Sequence, residues 1–229
     1  MRFLTKTHQF LTEVDMFIII QRVAFFMRNM VDLFSGLGGA SEAFVQAGWR
    51  VHRFDNNRLF SDPESKYFVP RTIWADLELM RMDFDEPIEF LWASPPCYEF
   101  SNAHSAPRGI AGREGRLDEY KPDMTLLRAT IKQIEELKPK YWCIENVIGS
   151  IRYFEPYLGK PKVIAGPYVL WGNFPPIVCQ VPKDYSKRIA GDKHRHSPIR
   201  SNHRAKVPMW LSQQMLDGIT YQKQLTEWI

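Results

Sequence analysis

The chain has 229 residues, 45% of them hydrophobic and 24% charged, with a net charge of +4. This is the profile of a globular protein with length for one main core, and its mild basicity permits a polyanionic partner without demanding one. Three cysteines, Cys97, Cys143 and Cys179, form neither a C-x-x-C pair nor an even disulfide set, which points to a reducing, cytoplasmic setting and to no metal. Residues 1–29 fit the rest poorly. Their apolar run MFIIIQRVAFFM (16–27) is too short for a membrane span, is broken by Gln21 and Arg22, and is followed by no small-residue cleavage site. It reads as an extra strand or short helix on the core, or as an extension upstream of a body starting near Met27 or Met30.

From residue 30 the pattern alternates. MVDLF (30–34) predicts a buried strand, SGLGG (35–39) a turn, and ASEAFVQAG (40–48) a helix closed by Gly48. WRVHRFD (49–55), RTIWAD (71–76) and IEFLWA (88–93) are further strands. A helix is expected over 122–137, where Met124, Leu127, Ile131 and Ile134 recur at helical spacing before Lys138-Pro139, and YWCIENV (141–147) is the next strand. Strands alternating with helices predict an α/β fold with an open, mostly parallel sheet whose ligands collect at strand ends. The tryptophans are expected in the core or at interfaces.

In the first turn, Gly36, Gly38 and Gly39 leave no Cβ between backbone and ligand, and the amides beyond can meet a carboxylate or phosphate. Asp55 ends the second strand about 20 residues on, where an acid meets ribose hydroxyls in nucleotide-binding folds. The loop is not G-x-G-x-x-G, which disfavours nicotinamide and flavin, and it lacks Gly-Lys-Ser/Thr, which disfavours ATP. Further along, Pro95 and Pro96 stop an apolar strand and hold Cys97 at its end.

DLFSGLGG (32–39), SPPCYEFS (94–101) and IENV (144–147) resemble, in order and spacing, motifs I, IV and VI of the DNA cytosine-5 methyltransferases, over roughly residues 28–150. RAKVPMWLSQQMLDGI (204–219) resembles the C-terminal motif whose helix returns to the cofactor domain. The resemblance implies a Rossmann-like methyltransferase sheet with a very small C-terminal recognition segment, and S-adenosylmethionine as cofactor. Residues 30–175 would be the catalytic domain, 176–206 the basic recognition segment and 207–229 the returning helix. Phe34, Ser35, Gly36, Leu37, Gly38 and Gly39 would form the cofactor loop. Asp55 would hold the ribose and Asp76 the adenine amine, although Asp76 also suits a cap for LELM (77–80). Cys97 and Glu145 would be catalytic, with Pro96 and Asn146 beside them.

The chemistry accounts for those residue types. C5 of cytosine is a poor nucleophile until something adds to C6, and a thiolate suits that addition. Cys97 would attack C6 while Glu145 bonds N3 and the exocyclic amine. Cys143 and Cys179 read as packing residues. The target base must leave a duplex stack, or be single-stranded already.

Two basic stretches suit a phosphate backbone. SNAHSAPRGIAGREGRLDEYKPD (101–123), with Ser101, Arg108, Arg113 and Arg116, reads as a flexible loop able to close over DNA. Residues 183–206 add Arg188, Lys193, Arg195, Arg200 and Arg204. The chain departs from the family pattern in four respects. Tyr98 replaces the usual Gln after the catalytic Cys. No Gln-x-Arg-x-Arg motif is present, Lys160 and Lys162 being the nearest cations. Some thirty residues between Gly172 and Arg204 stand where a sizeable recognition domain is usual. Arg204-Ala205 replaces the Gly-Asn of the C-terminal motif, and Lys206 at the cofactor edge would suit a carboxylate on the transferred methyl. The reading is a compact, phage-like enzyme that methylates C5 of cytosine in double-stranded DNA with short specificity. The alternatives are the same mechanism on single-stranded DNA or RNA, carboxymethyl transfer, and a catalytically silent DNA- or cofactor-binding relative. No membrane partner is expected, and the sequence leaves the oligomeric state open.

Overall fold

The structure is a computed structural model that describes residues 28–186, 194 and 196–226. The apolar run 16–27 therefore lies outside the described residues, as do Arg188, Lys193 and Arg195. Seven strands form one sheet: β1 (Asn29–Leu33), β2 (Arg50–Asp55), β3 (Thr72–Trp74), β4 (Ile88–Ala93), β5 (Tyr141–Val147), β6 (Val163–Ala165) and β7 (Tyr168–Asn173). Their order is β3-β2-β1-β4-β5-β7-β6. The first five run parallel to one another, and β7 runs antiparallel to both β5 and β6. The two-residue turn Gly166-Pro167, with Gly166 at φ 60, makes that reversal possible.

The helices are α1 (Glu42–Gln46), α2 (Arg58–Ser61), α3 (Pro107–Arg113), α4 (Thr125–Leu137), α5 (Ile151–Leu158), α6 (Arg200–Ala205) and α7 (Met209–Thr226). The sheet separates two apolar clusters because side chains alternate along each strand. Met30, Phe90 and Trp92 join Phe44 of α1 and Leu211 and Met215 of α7 on one face. Val31, Leu33 and Leu91 join Leu127 of α4 and Phe154 of α5 on the other. α7 is fastened to α1 by Ser212, whose Oγ donates to the Ala40 carbonyl at 2.7 Å and accepts from the Ala43 amide at 3.2 Å. The expected Rossmann-like layering is thus present.

Some boundaries move. The expected helix over 40–48 is confined to α1, since Gly38 to Ser41 remain in a turn that ends under α7. α4 starts at Thr125, where the Asp123 side chain accepts from the Thr125 amide at 2.8 Å, and ends at Lys138, which takes the left-handed conformation at φ 47. The larger correction concerns 101–123, read from composition as a flexible loop. Pro107 starts α3 within it, and a Cβ at Gly109 would lie 2.2 Å from the Ala103 carbonyl oxygen, so this glycine permits close packing.

The cavity at the strand ends

The chain leaves β1 for β2 and β3 on one side and crosses to β4 on the other, so a crevice opens beyond β1 and β4. A cavity of about 680 Å³ lies there. Its wall is drawn from every parallel strand end: Phe34 to Leu37 and Gly39 after β1, Asp55 to Asn57 after β2, Ala75 to Glu78 after β3, Ser94 to Tyr98 after β4, and Glu145 and Val147 of β5. The segment Ser201–Val207 supplies the remaining side through Ser201, Asn202 and Arg204 to Val207.

The first turn is held by strain and by close contact. Phe34 adopts φ 57, a conformation that costs a residue with a Cβ about 1 kcal/mol or more, and Gly36 and Gly38 follow at φ 50 and 68. Asp55 braces the loop: its Oδ2 accepts from the Gly36 amide and its Oδ1 from the Asn57 amide, both at 2.8 Å. Burial pushes the Asp55 carboxyl above its ordinary value, against these two bonds. A Cβ on Gly39 would fall 2.2 Å from the Val207 carbonyl and 2.7 Å from Cγ of Lys206, so the end of α6 sits directly on the loop. Asp76 lines the cavity and also caps its own turn, its Oδ1 accepting from the Glu78 amide at 3.1 Å.

At the other end, parallel pairing aligns Ala93 of β4 with Ile144 of β5, so the residues after Ala93 emerge beside Glu145. Asn146, 1% exposed, donates from Nδ2 to the Pro95 carbonyl at 2.9 Å, and its Oδ1 accepts from the Val147 amide at 2.9 Å. The Pro95-Pro96-Cys97 segment is therefore tied to the end of β5. Cys97 and Glu145 face one cavity, Glu145 at 6% exposure. Cys143, two residues before, is fully buried, and burial holds its thiol well above the ordinary range. Cys179 packs half-buried against the α7 face.

The basic residues separate. Arg204 and Lys206 line the cavity beside the glycine loop, Arg200 opens α6, and Ser101 lines the wall near Cys97. Arg113 donates to the carbonyls of Gly109 at 3.0 Å and His104 at 2.8 Å. Arg116 pairs with Glu114, and Arg108 bonds Asn102. Lys162 donates to the Phe174 carbonyl. Most tryptophans are in the core or against it, but Trp74 stands 44% exposed with the Arg58 guanidinium 4.5 Å from its ring centroid.

Sequence reasoning missed a buried charged group beneath the loop. Asp32 of β1 is fully buried; its Oδ2 accepts from Ser41 Oγ at 2.6 Å, and its Oδ1 lacks a hydrogen-bond partner among the described residues. Arg53, 3% exposed, donates to Ser41 Oγ at 2.8 Å, the Gly38 carbonyl at 3.2 Å and Glu42 at 3.1 Å. The one available signal was Asp32, a charge inside the buried strand β1; only the pairing of β1 with β2 sets Arg53 opposite it. Among the described residues, no three His, Cys, Asp or Glu side chains gather as a metal site requires, and no helix is long and apolar enough to cross a membrane.

Comparison with known proteins supplies the relationship. The Type II methyltransferase M.NgoPII of Neisseria gonorrhoeae is 27% identical over 128 residues, covering 54% of this chain and 34% of that protein. M1.HphI of Haemophilus parahaemolyticus, also a Type II methyltransferase, is 27% identical over 140 residues, covering 58% and 35%. The match thus spans about a third of the length of these curated relatives. A solved structure of a DNMT2 mutant from Spodoptera frugiperda aligns at 17% identity with a TM-score of 0.37, over 70% of this chain and 57% of that one. The family model for C-5 cytosine-specific DNA methylases matches residues 28–152, over half of the chain. That span contains the glycine turn, Asp55, the Pro-Pro-Cys strand end and Glu145, and the chain belongs to the C-5 cytosine-specific DNA methylase family.

Proposed function

We propose that the chain transfers a methyl group from S-adenosylmethionine to C5 of cytosine in DNA, through a covalent bond between Cys97 Sγ and C6. The observation that carries this reading is the single cavity shared by the glycine turn and the pair Cys97 and Glu145. Residues 30–175 act as the catalytic domain, 176–206 as the recognition segment and 207–229 as the returning helix. The residues fit the cofactor: the turn lets backbone approach a ligand, Asp55 keeps lone pairs for hydroxyls beyond its two amide bonds, and Asp32 presents an unpartnered acceptor in the wall. Phe34 to Gly39, Asp55, Asp76 and the edge at Lys206 would hold it. When bound, it supplies an electrophilic methyl group on a sulfonium.

The chain's own residues do the rest. Cys97, as thiolate, adds to C6 and forms the S–C6 bond. Glu145 holds N3 and the exocyclic amine by hydrogen bonds, which offsets the charge that develops in the ring. C5 becomes enamine-like and nucleophilic. After C5 is alkylated, a base takes the C5 proton, and the C–H electron pair forms the C5–C6 double bond as the S–C6 bond breaks, which expels the Cys97 thiolate and restores the aromatic ring. Asn146 keeps the Pro95–Cys97 segment at the depth this addition requires.

DNA carrying 5-fluorocytosine tests the assignment, because fluorine does not leave as the C5 proton does. The wild-type chain is expected to form a covalent adduct and to yield 5-methylcytosine on normal DNA, weighed after digestion to nucleosides. Cys97→Ala is expected to lose both products, and Cys143→Ala to keep them at reduced stability. Methyl transfer retained in Cys97→Ala would sink the mechanism.

A further inference from the structure

Two short turns follow the two reactive residues, and they lie against each other. Tyr98–Phe100 comes directly after Cys97, and Ile148–Ser150 starts three residues after Glu145. A Cβ on Gly149 would be 2.1 Å from the Phe100 carbonyl oxygen, so the two backbones leave no space between them. Each turn exposes one large apolar side chain: Tyr98 at 59% and Ile148 at 50%. Tyr98 also lines the cavity, and its hydroxyl donates to the Ser105 carbonyl at 3.2 Å, which anchors the far end of the ring. The Arg108 guanidinium lies at the same junction, 3.3 Å from where a Gly149 Cβ would stand.

An exposed aromatic ring at a cavity mouth contributes nothing to the core, and its anchoring lowers the entropy lost when a partner docks. The partner has to suit a flat, anchored apolar ring in the wall of the cavity that Cys97 lines, with an arginine held where the two turns meet. A nucleobase joined to its phosphate does so. When a cytosine leaves a duplex stack, its neighbours lose a stacking partner, at a cost of a few kcal/mol. Resting on the proposed cytosine chemistry, we infer that Tyr98 is the surface on which the base next to the target stacks once the target has entered the cavity. Stacking tolerates any base, so this contact supports binding without reading sequence.

The test uses the full chain and duplexes built around a cytosine that the wild type modifies. Tyr98→Ala is expected to lower kcat/KM on duplex by about tenfold, mainly through KM for DNA. Affinity for S-adenosylmethionine, measured by calorimetry, should not change. Tyr98→Phe, which keeps the ring, should restore most of the loss. The Tyr98→Ala deficit should shrink when the target cytosine faces an abasic position, where unstacking is already easy. Tyr98→Ala equal to wild type on duplex would overturn the inference, as would Tyr98→Phe as defective as Tyr98→Ala, which would make the Ser105 bond the relevant contact. A wild-type chain that modifies no cytosine would instead overturn the proposed function itself.

Discussion

Asp32 shows how one residue couples site and stability. Burial pushes its carboxyl from 3.8 up to about 6, with the Ser41 hydrogen bond and the Arg53 charge opposing and Asp55 adding to the rise. Between those two values the folded chain binds a proton that the unfolded chain has released. The contribution of this group is therefore complete below about pH 4 and is lost as pH rises through about 6. Asp32→Asn removes that dependence. Its melting temperature should fall less than that of the wild type between pH 4 and pH 7, the differential reaching on the order of 3 kcal/mol. Parallel pH profiles for the two proteins would show that Asp32 does not titrate in this interval. At the other end of the site, Asn146→Ala removes the bond to the Pro95 carbonyl and frees the Cys97 segment. The expected result is a kcat lowered by about tenfold or more with little change in cofactor affinity, checked by steady-state kinetics and calorimetry.

α3 provides a matched pair at the scale of an element. Gly109 and Gly112 stand on the same short helix, but a Cβ at Gly109 meets the Ala103 carbonyl at 2.2 Å, whereas nothing lies within 4 Å at Gly112. Gly109→Ala should destabilise the protein by about 1–3 kcal/mol through overpacking, and Gly112→Ala should be neutral or stabilise it by up to about 1 kcal/mol. Denaturant melts decide both. Neither sign was legible in the sequence, because glycine composition reports backbone freedom and close packing alike. β1, β4 and β5 were legible as largely apolar runs bounded by glycine, proline or charge, and β2 as the stretch WRVHRFD that follows Gly48. The placement of the glycine turn, Asp55 and Cys97 at strand ends was legible from where the strand patterns break, and that of Glu145 from the resemblance of IENV to the family motif. The Asp32–Ser41–Arg53 group was not, since it depends on the parallel register that sets Asp32 opposite Arg53. The antiparallel β7 was equally hidden, resting on one two-residue turn.

For the whole molecule, the decisive feature is what lies between β7 and α6. Its described residues 174–186 contain no helix or strand and run along α7. Ile177 packs so closely that a Cβ on Gly218 would lie 2.4 Å from its Cγ2, and Gln180 exchanges two backbone-to-side-chain hydrogen bonds with Gln214, both at 3.1 Å. A strap held flat on its own helix has few side chains to place in a groove, while each bidentate base contact contributes about 1–3 kcal/mol of discrimination. Affinity should then come mostly from cations meeting phosphates, with Arg200 and Arg204 among them, a contribution indifferent to sequence and weakened by salt. The expected outcome is modification at sites of about two or three base pairs, with binding that falls steeply from low to physiological salt. Arg204→Ala should lower the slope of log K against log salt by about one without changing which cytosines are modified. Bisulfite mapping of treated genomic DNA, beside binding isotherms at several salt concentrations, measures both quantities. A strict site of four or more base pairs read by this chain alone would mean that the strap leaves α7 to read DNA, and the geometry of residues 174–186 would then describe only the DNA-free state.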